Sequence, residues 1–269
     1  MTPVLALGLS CAGSLLGLHC ASRARGTTGR VRAAWLGLAA LSMGGAAVWG
    51  AHVLAMLGFR IDGVEIRYDV NLTVLSAVAA VVVVGVGLFI VGFAERRPLA
   101  LLGAGVVTGL GLASVHYLGM LALNTDGHVD YKPLIVAASV AIAVVAATVA
   151  LWFSMRVHGH WVSTGAALVM GLAITGVHYT GMAALQVRDD QSLALPPGVR
   201  AFDLLLPLIV SISVIGVLLM VAIGLSLGDE ERTMEKQFDR QLAERAAGIR
   251  TYFEPEPRQA QDSQRGSWS

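Results

Sequence analysis

The sequence predicts an all-α polytopic membrane protein: seven transmembrane helices, arranged as three repeated helix pairs plus one. Three observations lead there. The 269 residues are 55% hydrophobic and only 14% charged, whereas soluble chains run near a quarter charged. Seven stretches lack any Asp, Glu, Lys or Arg and reach the roughly 20 apolar residues that cross a hydrocarbon core. One histidine-centred pattern recurs on the second, fourth and sixth of them.

The stretches are approximately 3–22, 33–58, 70–94, 99–123, 133–155, 161–186 and 204–227. In lipid each backbone polar group needs an internal partner, which makes every stretch a helix. The first has no basic residue ahead of its apolar run and is followed by Arg23, Arg25, Arg30 and Arg32. That reverses a secretory n-region, so an uncleaved helix is expected. The loops after the first, third and fifth stretches add Arg96, Arg97 and Arg156 to those four, against Glu95 alone. The other three loops hold Arg60, Arg67, Lys132, Arg188 and Arg200 among eight acids. Basic residues mark the cytoplasmic side, so the expectation is a plasma-membrane protein with its N-terminus outside and C-terminus inside. The domain expected over 1–227 then gives way at Gly228 to a charged tail, 228–269. Met234, Phe238 and Leu242 recur every four residues there, as in a short amphipathic helix, before a polar, disordered end. A net charge of +1 gives no sign of a nucleic-acid partner.

The repeat reads Trp49-Gly-Ala-His52-Val-Leu-Ala-Met56, Ala113-Ser-Val-His116-Tyr-Leu-Gly-Met120 and Thr175-Gly-Val-His178-Tyr-Thr-Gly-Met182. Each copy is His-x-x-x-Met, with a glycine seven residues before the histidine (Gly45, Gly109, Gly171). His and Met at i and i+4 share one helix face, about 6 Å apart along the axis. The three histidines stand at equal depth near the outer face, on helices running in the same direction. They meet if the bundle brings those helices together.

Imidazole suits copper, zinc, iron and nickel, and thioether sulfur favours Cu(I). A mixed His and Met set without carboxylate or thiolate points to copper over zinc, calcium or magnesium. His52, His116 and His178 are the first candidate ligands, and Met56, Met120 and Met182 the second. Tyr117 and Tyr179, one residue past their histidines, either support those ligands or a bound molecule, or face a neighbouring helix. Gly119 and Gly181 either clear space for a ligand or allow close helix packing. Gly13-x-x-x-Gly17 and Gly105-x-x-x-Gly109 read as packing motifs.

His-Tyr-Thr-Gly-Met at 178–182, His-Tyr-Leu-Gly-Met at 116–120 and Trp49…His52…Met56 resemble the bacterial MHYT integral-membrane sensor domain over roughly residues 1–227. The resemblance implies a copper site and a role in sensing oxygen, carbon monoxide or nitric oxide. It also implies a signalling partner in the cytoplasm. Two departures matter. The methionine that directly precedes histidine in the family is Ala51, Val115 and Val177 here, which removes three thioethers from the ligand set. Relatives often continue into domains that make or break cyclic di-GMP, and no such domain is expected in this chain. A signal would leave through the tail or a partner.

Competing functions are weighed on the same residues. Heme binding would use two of the histidines as axial ligands, and a copper conduit would use the His and Met side chains as its lining. A retinal Schiff base is excluded, since Lys132 and Lys236 are the only lysines and lie outside the stretches. No nucleophile–base constellation or phosphate loop points to an enzyme. His19, His128, His158, His160 and the Asp189-Asp190 pair read as structural or incidental. Cys11 and Cys20, nine positions apart on opposite helix faces, predict no disulfide.

Overall fold

The structure, a computed structural model, describes residues 1–60, 66–94, 97–124, 128–188 and 197–224, without the side chains of 128, 129, 187 and 188. The expected tail helix around Met234, Phe238 and Leu242, the Asp189-Asp190 pair and the His128 side chain lie outside the described residues. Among the described residues, seven helices are long and apolar enough to span a membrane: α1 (Thr2–Arg25), α2 (Gly29–Leu57), α3 (Val70–Phe93), α4 (Pro98–Leu121), α5 (Pro133–Arg156), α6 (His160–Ala183) and α7 (Ala201–Gly224). The chain is a multi-pass helical membrane protein. It divides into two compact units, Met1–Met220 and Val221–Ser269.

Local chemistry sets the helix starts. Proline opens α1, α4 and α5, where its missing N–H costs nothing. The Asp69 side chain caps α3 by accepting from the Leu72 N–H at 3.0 Å. Gly159, at φ 86°, makes the sharp entry into α6. The helices extend a few residues past several uncharged stretches, because their charged ends reach beyond the hydrocarbon. Arg23 and Arg25 occupy the last turn of α1, where cations favour the helix dipole.

Each of α1 to α6 packs against its sequence neighbours, and α6 closes back on α1, forming a six-helix ring. The ring repeats the helix pair three times, with the histidine-bearing helices α2, α4 and α6 alternating with α1, α3 and α5. Helix α7 is the least buried of the seven. Lipid is as apolar as leucine, so hydrophobicity cannot hold such a ring; close packing and interhelical hydrogen bonds must. Small residues supply the approach. A Cβ on Gly13 would meet the backbone of Ala47, one on Gly105 would meet Thr148, and one on Gly109 the backbone of Val144. Both Gly-x-x-x-Gly motifs are therefore packing seams. Polar ties cross these seams and the one between α2 and α3. Ser42 donates to the Gly13 carbonyl at 2.8 Å, Trp49 Nε1 donates to Ser76 Oγ at 3.0 Å, and the hydroxyls of Tyr117 and Ser139 bond at 2.8 Å.

The threefold pattern is broken in α2. From Leu41 to Gly50 its turns widen into a π-helix, between α-helical segments Gly29–Ala40 and Ala51–Leu57. The sequence aligns Gly45 with Gly109 and Gly171, but the close approach in the first pair belongs to Gly44. A Cβ there would strike Ala80 O and Val81 Cα, whereas Gly45 meets only side chains at 3.5 Å or more. The first copy thus spaces its packing glycine eight residues from His52, and the wider turns absorb the extra residue.

Short strands close one end of the ring: β1 (Arg67–Tyr68), β2 (Leu123–Asn124), β3 (His128–Tyr131), β4 (Leu185–Arg188) and β5 (Val199–Arg200). They lie in the three connections that follow the histidine-bearing helices. Strand β1 lies between β2 and β5, all antiparallel, with Tyr68 opposite Leu123 and Val199. Strand β3 pairs with β4 from His128↔Arg188 to Tyr131↔Leu185. The three connections are thereby stitched into one cap. Sequence periodicity gave no sign of it, since strands of two to four residues are too short to show alternation.

Candidate metal centre

His52, His116 and His178 each stand five residues before the last residue of their helices, Leu57, Leu121 and Ala183. Ring closure turns that shared depth into convergence. Their imidazole centroids lie 5.0, 4.9 and 5.3 Å apart, each pair edge-to-face at 74°, 80° and 83°. All three are buried, at 7%, 6% and 5% exposure. His52 Nδ1 and His178 Nδ1 share a hydrogen bond at 2.9 Å. The Nε2 atom of each of these rings is buried with no hydrogen-bond partner among the described residues.

Two glycines admit this arrangement. A Cβ on Gly119 of α4 would collide with the His52 ring, and one on Gly181 of α6 with the His116 ring, Nε2 being nearest in both cases. Each glycine, three residues after its own histidine, thus receives the imidazole of the preceding copy. The sequence left ligand space and helix packing open for them; the structure shows a third role, seating the neighbour's ring. The matching residue of the first copy is Ala55, which is buried.

One donor atom from each of the three rings can be chosen so that all lie within 4.8 Å of one another. Imidazole nitrogens around one first-row ion, at about 2.0–2.1 Å from it, stand roughly 3.5 Å apart. Modest side-chain rotation covers the difference. A buried polar atom without a partner costs about 1–3 kcal/mol, and each of the three neighbouring rings holds one such nitrogen, which fits a cluster completed by a ligand. The donor set is nitrogen without carboxylate or thiolate among the described residues.

The methionines form the next layer toward the cap. Met56 and Met120 are buried in one cluster with Tyr68, and Met182 packs against it with Leu185, Val199 and Leu204. The Tyr68 hydroxyl donates to the Met56 carbonyl at 2.9 Å. Burial pushes the Tyr68 phenol up to about 12. The tyrosines after the histidines divide. Tyr117 lies edge-on to His116, with ring centroids 5.1 Å apart, while its hydroxyl bonds Ser139 of α5. Tyr179 lies edge-on to His178 at 5.0 Å and is 40% exposed.

Away from the cap, the three imidazoles border a cavity of about 90 Å³ inside the ring. Its walls include Trp49, Leu88, Thr108, Leu112, Ala147 and Met170. The remaining described histidines stand elsewhere. His19 Nδ1 donates to the Leu15 carbonyl and its ring lies 5.9 Å from that of His160, while His158 Nδ1 donates to the Arg156 carbonyl. Cys11 and Cys20 are free thiols.

Fold and site together define a multi-pass membrane protein with three buried histidines inside a pseudo-threefold ring. Residues 45–104 and 109–167 match the family model described as MHYT, bacterial signalling protein N terminal repeat. The chain belongs to that family. Both matches begin on the glycine seven residues before a histidine, and the third copy, around His178, lies beyond them. Among the relatives is the bifunctional diguanylate cyclase/cyclic di-GMP phosphodiesterase MucR of Pseudomonas aeruginosa, 40% identical over 178 residues, covering 64% of this chain and 26% of the relative. The cyclic di-GMP phosphodiesterase NbdA of the same organism is 34% identical over 157 residues, covering 56% and 20%. The signaling protein YkoW of Bacillus subtilis is 29% identical over 201 residues, covering 72% and 24%. The chain therefore spans about a quarter of the length of these relatives or less. No solved structure matches it.

Proposed function

We propose that the protein is a membrane sensor whose input site is a copper ion held by His52, His116 and His178, open to a diatomic gas. The observation that carries this reading is the set of three buried imidazoles, each with an unpartnered Nε2. Imidazole binds copper more tightly than the other divalent first-row ions. Copper would supply an open coordination position for oxygen, carbon monoxide or nitric oxide. Met56, Met120 and Met182 serve as soft ligands from the layer toward the cap. Tyr117 and Tyr179 brace the His116 and His178 rings edge-on and support whatever binds there. The apolar cavity of about 90 Å³ offers room beside the histidines for a small uncharged molecule; such cavities stay dry and take up apolar guests.

A heme reading draws no support from this geometry. The rings touch edge to face, and cofactor pockets run to about 300–1,000 Å³. The sensor domain is assigned to 1–227, with its N-terminus and histidine end outside the cell membrane and the 228–269 tail inside, following the basic loops. It acts without catalysis and passes its state to a cytoplasmic signalling partner.

The test is copper content of the detergent-purified protein after loading and washing, beside a variant with all three histidines changed to Ala. Near-stoichiometric copper in the parent, lost in a folded variant, is the expected result. Low and equal copper in both reduces the histidines to packing. A carbon monoxide titration of the Cu(I) form then tests the gas step, and an unchanged spectrum would overturn it.

A further inference from the structure

At the end of the ring opposite the cap, a cavity of about 250 Å³ opens among four helix ends. Ala21, Ala24 and Arg25 come from the last turns of α1, Arg32 and Leu36 from the first turns of α2, Phe93 and Ala94 from the end of α3, and Ser154 and Met155 from the end of α5. Among the described residues, the charged side chains that line it are these two arginines.

Arg25 is held in place, donating to the carbonyls of Ser154 and Val157 at the α5 terminus. Arg32 is placed differently. Its guanidinium lies over the Phe93 ring, 5.3 Å from the centroid, and its Nε is enclosed with no hydrogen-bond partner among the described residues. Cation–π contact with Phe93 orients the planar group without satisfying its N–H donors. An enclosed donor left unused is costly, and a phosphate oxyanion matches the guanidinium fork. Charge, donor, cavity and depth coincide here, since the helix ends of a membrane bundle lie where phospholipid headgroups begin.

We propose that the Arg25–Arg32 cavity binds a phosphate group, either the headgroup of an anionic phospholipid or a free phosphate. Arg32 supplies the principal donor, Arg25 adds positive charge from across the cavity, and Leu36, Leu88 and Val91 form its apolar walls. Occupancy would tie the ends of α1, α2, α3 and α5 together.

The experiment uses the full chain and measures thermal unfolding and binding with two probes. One is phosphatidylglycerol titrated into phosphatidylcholine nanodiscs, and the other is inorganic phosphate added to protein in neutral detergent. Arg32→Gln removes the charge while keeping most of the volume, Arg32→Lys keeps the charge without the fork, and Met155→Trp fills the cavity with Arg32 intact. The expected result is preferential stabilisation by one probe, weakened about tenfold in Arg32→Gln and in Met155→Trp and partly retained in Arg32→Lys. A response to phosphatidylglycerol alone identifies a lipid; a response to inorganic phosphate identifies a soluble phosphate. No response to either, or equal responses in parent and Met155→Trp, overturns the proposal even if Arg32→Gln fails to fold.

Discussion

At the scale of single residues, the seats of the imidazoles are the most exacting feature. A methyl group at Gly119 or Gly181 cannot coexist with the neighbouring ring as it stands. Gly119→Ala and Gly181→Ala are each expected to destabilise the fold by about 1–3 kcal/mol, the usual cost of overpacking. They should also weaken copper binding at least tenfold in a competition titration. Gly176→Ala, where nothing lies within 4 Å, should leave both properties unchanged. Tyr68 makes a separate prediction. Its phenol ionises near 12 in the folded protein against 10.0 ordinarily, so its contribution to stability is whole below pH 10 and is lost as pH rises toward 12. Chemical denaturation across that range should show a decline that is smaller in Tyr68→Phe. That variant should also lose about 0.5–1.5 kcal/mol at neutral pH, for the missing bond to the Met56 carbonyl.

At the scale of elements, the seven spans and the histidine repeat were legible because lipid imposes a simple rule on composition and because one pattern recurs three times. The π-helical stretch of α2 was not, although a clue stood in the sequence: the Gly44-Gly45 pair, where the other copies have one glycine. Choosing between those two glycines requires knowing which one touches α3, a tertiary fact. The cap was illegible for a related reason. Pairing of β1 with β2 and β5 depends on three connections being brought together by the ring and not on their own residues. The π-helix yields a test. Deleting Ala46 should restore α-helical turns with the spacing of the other copies, leaving the protein folded and able to bind copper. Deleting Leu112 from the regular α4 turns His116 by about 100° away from its partners and should abolish binding, as read by metal analysis of the purified variants.

At the scale of the whole molecule, convergence of the histidines rests on closure of the ring. Sequence showed their common depth, but only the contact of α6 with α1 determines that the rings meet. That contact is close at Gly171, where a Cβ would strike Cys11. Gly171 stands seven residues before His178 and touches no ligand. Even so, Gly171→Leu should force the seam apart, lowering both the unfolding temperature and copper occupancy, whereas Gly165→Leu, at an open position, should change neither. The seating of the rings has a further consequence. The His52 ring rests on α4, the His116 ring rests on α6, and His178 is bonded back to His52. Like the blades of a camera iris, the three cannot be repositioned one at a time. Anything that draws one ring toward the axis unseats it from the following helix, so even a guest of two atoms would be felt by all three arms at once.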